Sequence, residues 1–149
     1  MTNVRVYDVK QDKVVTVEKI KKSDAEWKKL LAAKQYEITT KKGTETPGSC
    51  VFNEVKGPGI FKCVRCGTDL FRYSTKFESG TGWPSFYEPV SPLNVVEQPD
   101  TSLGMARTEV LCARCDSHLG HVFDDGPPPT GKRYCMNGFA LRFVPKGGT

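Results

Sequence analysis

Apolar and polar residues alternate over the opening positions of the chain: Val4 and Val6, then Val15 and Val17, lie two apart and are interrupted by Gln11-Asp12. Period two places alternate side chains on one face of a strand, so residues 1–20 are expected to form a short hairpin or a loosely attached extension. The period then lengthens. Ser23-Asp24-Ala25-Glu26 has the spacing of a capping box, in which hydroxyl and carboxylate satisfy each other's orphan amide donors, and Trp27, Leu30 and Leu31 follow at i, i+3, i+4. A helix is expected from there to about Ala33, burying that stripe. A second short helix through Tyr36 and Ile38 should end at Gly43, which easily takes the left-handed conformation that closes a helix.

Beyond Gly43 the texture changes, and glycine and proline punctuate segments rich in Val, Phe, Tyr and Thr. That is how short strands joined by turns read. Strands are expected near 50–53, 60–63, 69–73, 105–112, 121–123 and 133–145, with Gly57-Pro58-Gly59 as a turn and Pro127-Pro128-Pro129 as a stiff surface loop. The fold is therefore mainly β with short N-terminal helices. At 149 residues the chain can bury a core without disulfides, and one domain over 21–149 is expected behind the N-terminal extension.

Charge narrows the partners. The formal net charge of +5 is unevenly placed, because residues 1–42 hold eleven basic and six acidic side chains and the remainder holds eleven of each. Solvated helix faces account for such a lysine-rich opening, and a neutral remainder argues against a nucleic-acid surface. No stretch reaches the roughly 20 apolar residues of a membrane span, and no apolar signal-peptide core opens the chain. A soluble cytoplasmic monomer is expected. In a reducing compartment its six cysteines read as metal ligands and reactive thiols rather than as a disulfide framework.

Four of them have a pattern. Cys63-Val64-Arg65-Cys66 and Cys112-Ala113-Arg114-Cys115 each offer two thiolates from one tight turn, and four thiolates at about 2.3 Å make a closed tetrahedral zinc site. With 45 residues between Cys66 and Cys112, the site must clamp two distant loops. A closed shell leaves no position for water, so the zinc would be structural. The rival reading makes one pair a thioredoxin-like redox dithiol, although nothing in the chain looks like the βαβ unit that motif accompanies.

Cys135 stands apart, between Arg133 and Asn137. A neighbouring guanidinium favours the thiolate, which makes Cys135 a candidate nucleophile; the alternative is a buried cysteine packing as a small apolar residue. Trp83 and Phe86, on the glycine-softened loop Gly80-Thr81-Gly82-Trp83-Pro84-Ser85-Phe86, could wall a pocket for a methyl or thioether group or simply belong to the core. His118 and His121 are the only histidines, and either could donate a proton near neutral pH or serve as a satisfied structural residue.

Taken together, GTGWPSF at 80–86, HLGHVFDDGP at 118–127 and RYCMNGFAL at 133–141 resemble the B-type methionine sulfoxide reductases, which reduce the R epimer of methionine sulfoxide. SDAEWKKLL at 23–31 is similar to that family's opening helix, and the two C-x-x-C pairs sit where its zinc-containing members carry theirs. The resemblance covers about residues 22–145. It implies a fold of two antiparallel sheets, barrel- or sandwich-like, with an exposed active site. It also implies Cys135 as catalytic cysteine, Trp83 as the aromatic residue receiving the substrate methyl, His118, His121, Arg133 and Asn137 lining the site, and thioredoxin as reductant. Substrates would be oxidised proteins or free methionine-R-sulfoxide.

One departure matters. Many relatives place a resolving cysteine immediately before the Gly-Trp of GWPSF, and here that residue is Thr81. Beside the four ligands and Cys135 there remains Cys50, which matches the alternative upstream position used by a few members. On this reading Cys135 attacks the sulfoxide sulfur while His121, or else His118, protonates its oxygen. The sulfenic acid left on Cys135 then condenses with Cys50. The reading of a different class is a zinc-stapled module with an aromatic pocket and an inert Cys135; a nucleic-acid-binding zinc ribbon comes third. Thiol reactivity separates them.

Overall fold

The computed structural model describes residues 3–41, 58–77, 84–100 and 107–145. The alternating opening folds as expected into an antiparallel hairpin of β1 (Asn3–Asp8) and β2 (Lys13–Glu18), with Val6 opposite Val15. It is stitched to the rest by backbone-directed bonds. Tyr7 N–H donates to Asn94 Oδ1 at 2.7 Å, Asn94 Nδ2 returns a bond to the Tyr7 carbonyl at 2.9 Å, and Lys19 Nζ reaches the Ala113 carbonyl at 2.8 Å.

Helix α1 (Asp24–Leu30) opens on the capping box anticipated from Ser23 and Glu26. It stops short of Ala33. Leu31 is already extended, with φ −111° and ψ 150°, and the Ala32 N–H is capped by the Gln35 side chain at 3.0 Å, which starts a separate helix α2 (Ala33–Lys41). The break turns the chain before the second turn of the stripe can face the core, so the expected burial fails: Trp27 is buried, Leu31 is half-buried and Leu30 is 65% exposed. Trp27 alone docks α1, with the Arg65 guanidinium 4.6 Å above its ring. Among the described residues no helix is long and apolar enough to cross a membrane.

Two antiparallel sheets make up the body. One is three-stranded, ordered β11–β3–β4 from β11 (Leu141–Pro145), β3 (Gly59–Cys63) and β4 (Asp69–Arg72). The other has the order β5–β6–β10–β9–β8–β7, built from β5 (Lys76–Phe77), β6 (Ser85–Phe86), β7 (Val95–Asp100), β8 (Arg107–Cys112), β9 (His118–Phe123) and β10 (Arg133–Met136). The edge strand β7 carries Pro99, which has no N–H to give a further neighbour.

The single strand expected over 133–145 is in fact two strands in different sheets. Asn137-Gly138 interrupts it, and a 3-10 turn over Gly138–Ala140, closed by Ala140 N–H on the Asn137 carbonyl at 3.0 Å, carries the chain from β10 to β11. The expected strand at 50–53, the turn residue Gly57 and the helix end at Gly43 lie outside the described residues.

Between the sheets sit Phe61, Phe71, Phe86, Val110, Val122, Tyr134 and Met136. Alternation accounts for the larger sheet's share: Phe86 pairs with Tyr134 and Tyr134 with Val122, so these side chains point the same way. Phe86 is therefore no pocket wall, contrary to its expected role. It is fully buried, stacked on Phe71 at 4.5 Å between centroids and edge-on to Phe61 at 5.0 Å. Phe86→Ala should lower unfolding free energy by about 3–5 kcal/mol in urea melts; a change confined to substrate KM, with stability intact, would restore the pocket role.

Candidate active site and metal centre

Each C-x-x-C pair is the turn of a β-hairpin, the first joining β3 to β4 and the second joining β8 to β9. The two turns repeat one another. Gly67 N–H donates to the Cys63 carbonyl and Asp116 N–H to the Cys112 carbonyl, both at 2.9 Å, and each residue takes a left-handed φ, 77° and 61°. Glycine is suited to that conformation, and aspartate tolerates it better than most residues. The 45-residue gap between the pairs is now explained, because the intervening chain closes the β3–β4 hairpin, crosses to the other sheet and runs through β5 to β8 before the second turn.

All four Sγ atoms lie within 4.8 Å of one another, with Cys63–Cys115 and Cys66–Cys112 each at 3.6 Å. A tetrahedron of sulfurs about 2.3 Å from a shared ion has edges of about 3.8 Å. The cluster therefore fits a thiolate-bound metal ion and is far too open for disulfides, whose sulfurs sit about 2.05 Å apart. Its own electrostatics suit a cation: the Cys63 thiol, donating to its sulfur neighbours and buried, is pushed well up, while Cys66 and Cys112 are lowered, so without a cation the four sulfurs do not all ionise together.

The second constellation lies across the larger sheet, on the face away from Phe86. Glu109 stands opposite His121, His121 opposite Cys135, and Cys135 opposite Ser85, so four strands contribute one row. His118 joins it through an irregularity. Residues three apart on a regular strand face opposite ways, but the register steps from Val110–Gly120 to Leu111–His118, leaving Leu119 as an extra residue. That bulge brings both imidazoles to the same side, their rings 5.5 Å apart and edge to face. Asn137 pins the bulge, donating to the Leu119 carbonyl from its backbone N–H at 2.9 Å and from Nδ2 at 3.3 Å.

Gly120 sets the spacing between β9 and β10. A Cβ there would stand 2.2 Å from the Cys135 carbonyl oxygen and 2.9 Å from Met136 Cα, so only glycine lets the cysteine strand come this close.

Cys135 is half-buried. Arg133, two residues along the same strand and on the same face, is held above its ordinary pKa first by its hydrogen bond to Asp125 and then by attraction to the Asp125 carboxylate and the Cys135 sulfur. The fork is bidentate, Nε to Oδ1 at 2.9 Å and Nη2 to Oδ2 at 3.2 Å, and the guanidinium stacks 4.5 Å over Phe123. Asp125 is in turn held below the usual carboxylate range by Arg133. A fixed cation thus stands beside the thiol.

Of the residues expected at the site, Cys135, His118, His121, Arg133 and Asn137 come together, while Trp83 and Cys50 lie outside the described residues. Three participants carry no sequence signal of their own. Ser85 and Glu109 are buried polar residues of β strands, visible only once register is known. Asp125 reads as part of an ordinary Asp-Asp-Gly turn, and its partnership with Arg133 needs the β9–β10 hairpin to be closed.

Comparison with known proteins identifies the family. The SelR domain family matches residues 31–145. The peptide methionine sulfoxide reductase MsrB of Pseudomonas savastanoi pv. phaseolicola is 53% identical over 130 residues, covering 87% of this chain and 99% of that protein. A protein of the same name from Methanosarcina barkeri is 54% identical over 126 residues, covering 83% and 87%. Among solved structures the Mis18 'Yippee-like' domain shares 18% identity and a TM-score of 0.47 over 58% of this chain and 95% of that one, a likeness too slight to add to the family match.

Cys112→Ser should abolish stoichiometric metal binding, read by elemental analysis. It should also lower the melting temperature by about 10 °C or more, because ion binding here contributes to folding. An unchanged melting temperature would mean that the two turns hold together without the ion.

Proposed function

The chain belongs to the SelR family, the B-type methionine sulfoxide reductases, and on that premise we propose which of its groups carry the reaction. It is an oxidoreductase that reduces the R epimer of methionine sulfoxide to methionine, which sets aside the non-catalytic binding module. The observation supporting the assignment of residues is the placement of Cys135 across from His121 and beside the Asp125-held Arg133.

The Cys135 thiolate attacks the sulfoxide sulfur while an imidazole, His121 in this reading, protonates the departing oxygen. The bond between the two sulfurs and the substrate S–O bond then break as the oxygen passes to Cys135, so methionine leaves with two more electrons and Cys135 is left as a sulfenic acid. Arg133 favours the thiolate before attack. Trp83 is assigned to the substrate methyl group. Cys50 then attacks the sulfenic sulfur, water leaves, and a Cys135–Cys50 disulfide forms. An external dithiol of the thioredoxin type restores both thiols by exchange.

The four-cysteine cluster would hold zinc through Cys63, Cys66, Cys112 and Cys115. Its softness suits thiolates, and a closed shell supplies structure rather than water activation. The catalytic unit is assigned to residues 21–149, with residues 1–20 docked on it as an extension, in a cytoplasmic monomer.

Cys135→Ser should abolish reduction of the R epimer, assayed with separated R and S sulfoxides and dithiothreitol as donor; an active variant would remove the nucleophile assignment. Cys50→Ser should complete one turnover, releasing about one methionine per chain, and then stall when thioredoxin is the only reductant. Sustained turnover in that variant would mean that another group resolves the sulfenic acid.

A further inference from the structure

Glu109 is the most deeply buried acidic side chain among the described residues, at 1% exposure, and it lies in the row that contains His121 and Cys135. Its strand neighbours Val110 and Leu111 are aliphatic, which is what a buried strand ordinarily uses. A carboxylate in that setting is costly unless a donor meets it. The donor is His118, whose Nδ1 lies 2.7 Å from Glu109 Oε2 and whose side chain is 3% exposed.

We propose that Glu109 is a positioning residue for the proton-delivering histidines, an inference that rests on the reductase reading above. A carboxylate can only accept, so the bond assigns the proton of His118 to Nδ1. The same bond fixes the ring plane of His118. That plane supplies the edge-to-face contact, 5.5 Å between centroids and 70° between planes, against which His121 rests. His121 in turn stands directly across from Cys135. Glu109 thus acts at one remove from the reacting atoms, holding the first imidazole so that the second keeps its aim; in other enzymes a carboxylate orients an imidazole in the same way.

The test compares wild type with Glu109→Gln, which preserves size but replaces an obligate acceptor with an amide that can also donate. Single-turnover reduction of the R sulfoxide at saturating substrate should slow about tenfold or more, while the substrate concentration for half-maximal rate, the metal content and the melting temperature stay close to wild type. A folded variant that turns over at the wild-type rate would overturn the proposal. Independently of any variant, 15N spectra of the wild-type histidines should show neutral His118 protonated on Nδ1; protonation on Nε2 alone would overturn it even if Glu109→Gln fails to fold. Absence of R-sulfoxide reduction by the wild type would instead remove the reductase reading, leaving the tautomer result to judge Glu109.

Discussion

Four sulfurs converging from two hairpin turns are the constraint on which the rest of this structure depends. One turn belongs to the three-stranded sheet and the other to the six-stranded sheet, so an ion held by all four cysteines would fix the two layers against each other. Each turn also anchors something else. Arg65, inside the first, reaches Trp27 of α1 and the hydroxyls of Thr39 and Thr40 of α2. The second receives the N-terminal hairpin through Lys19, which bonds both the Ala113 carbonyl and Asp116, and through Ile20 N–H on the Arg114 carbonyl. Helices and hairpin are thus secured to the two cysteine turns.

Catalytic geometry depends on this frame through β9, which begins just after the second turn. Its bulge puts two imidazoles on the face where a regular strand would put one. Gly120 then lets β10 approach closely enough for Cys135 to sit opposite His121. Asn137 reaches back to hold the bulge from the far end of β10, immediately before the chain crosses to the other sheet. The same few residues therefore define both where the cysteine stands and where the strand must end.

Much of this was legible in the sequence. The capping box, the opening hairpin and the paired C-x-x-C turns are local signals in which spacing alone carries the chemistry. The failures come from short-range caps and turns as well as from pairings across the sheets. The stripe of Trp27, Leu30 and Leu31 looks like one helical face until Gln35 caps a new helix at Ala32. The strand through 133–145 looks continuous unless Asn137-Gly138 is given the weight of a turn. Phe86 looked like a ligand-facing aromatic because of its neighbours in the motif, whereas strand parity sends it to the core and sends Ser85 to the active face. Glu109 carries no signal of its own, and only strand register reveals the histidine that makes its burial affordable.

Pro99 on the outer strand of the larger sheet has a bearing on the company this enzyme keeps. Polypeptides that have lost their own partners expose unpaired backbone. An accessible strand border would invite such chains to add themselves to the sheet, productive or not. With an imino acid in β7 and only two described residues in β5 at the opposite margin, the described part of the sheet offers such chains a poor template.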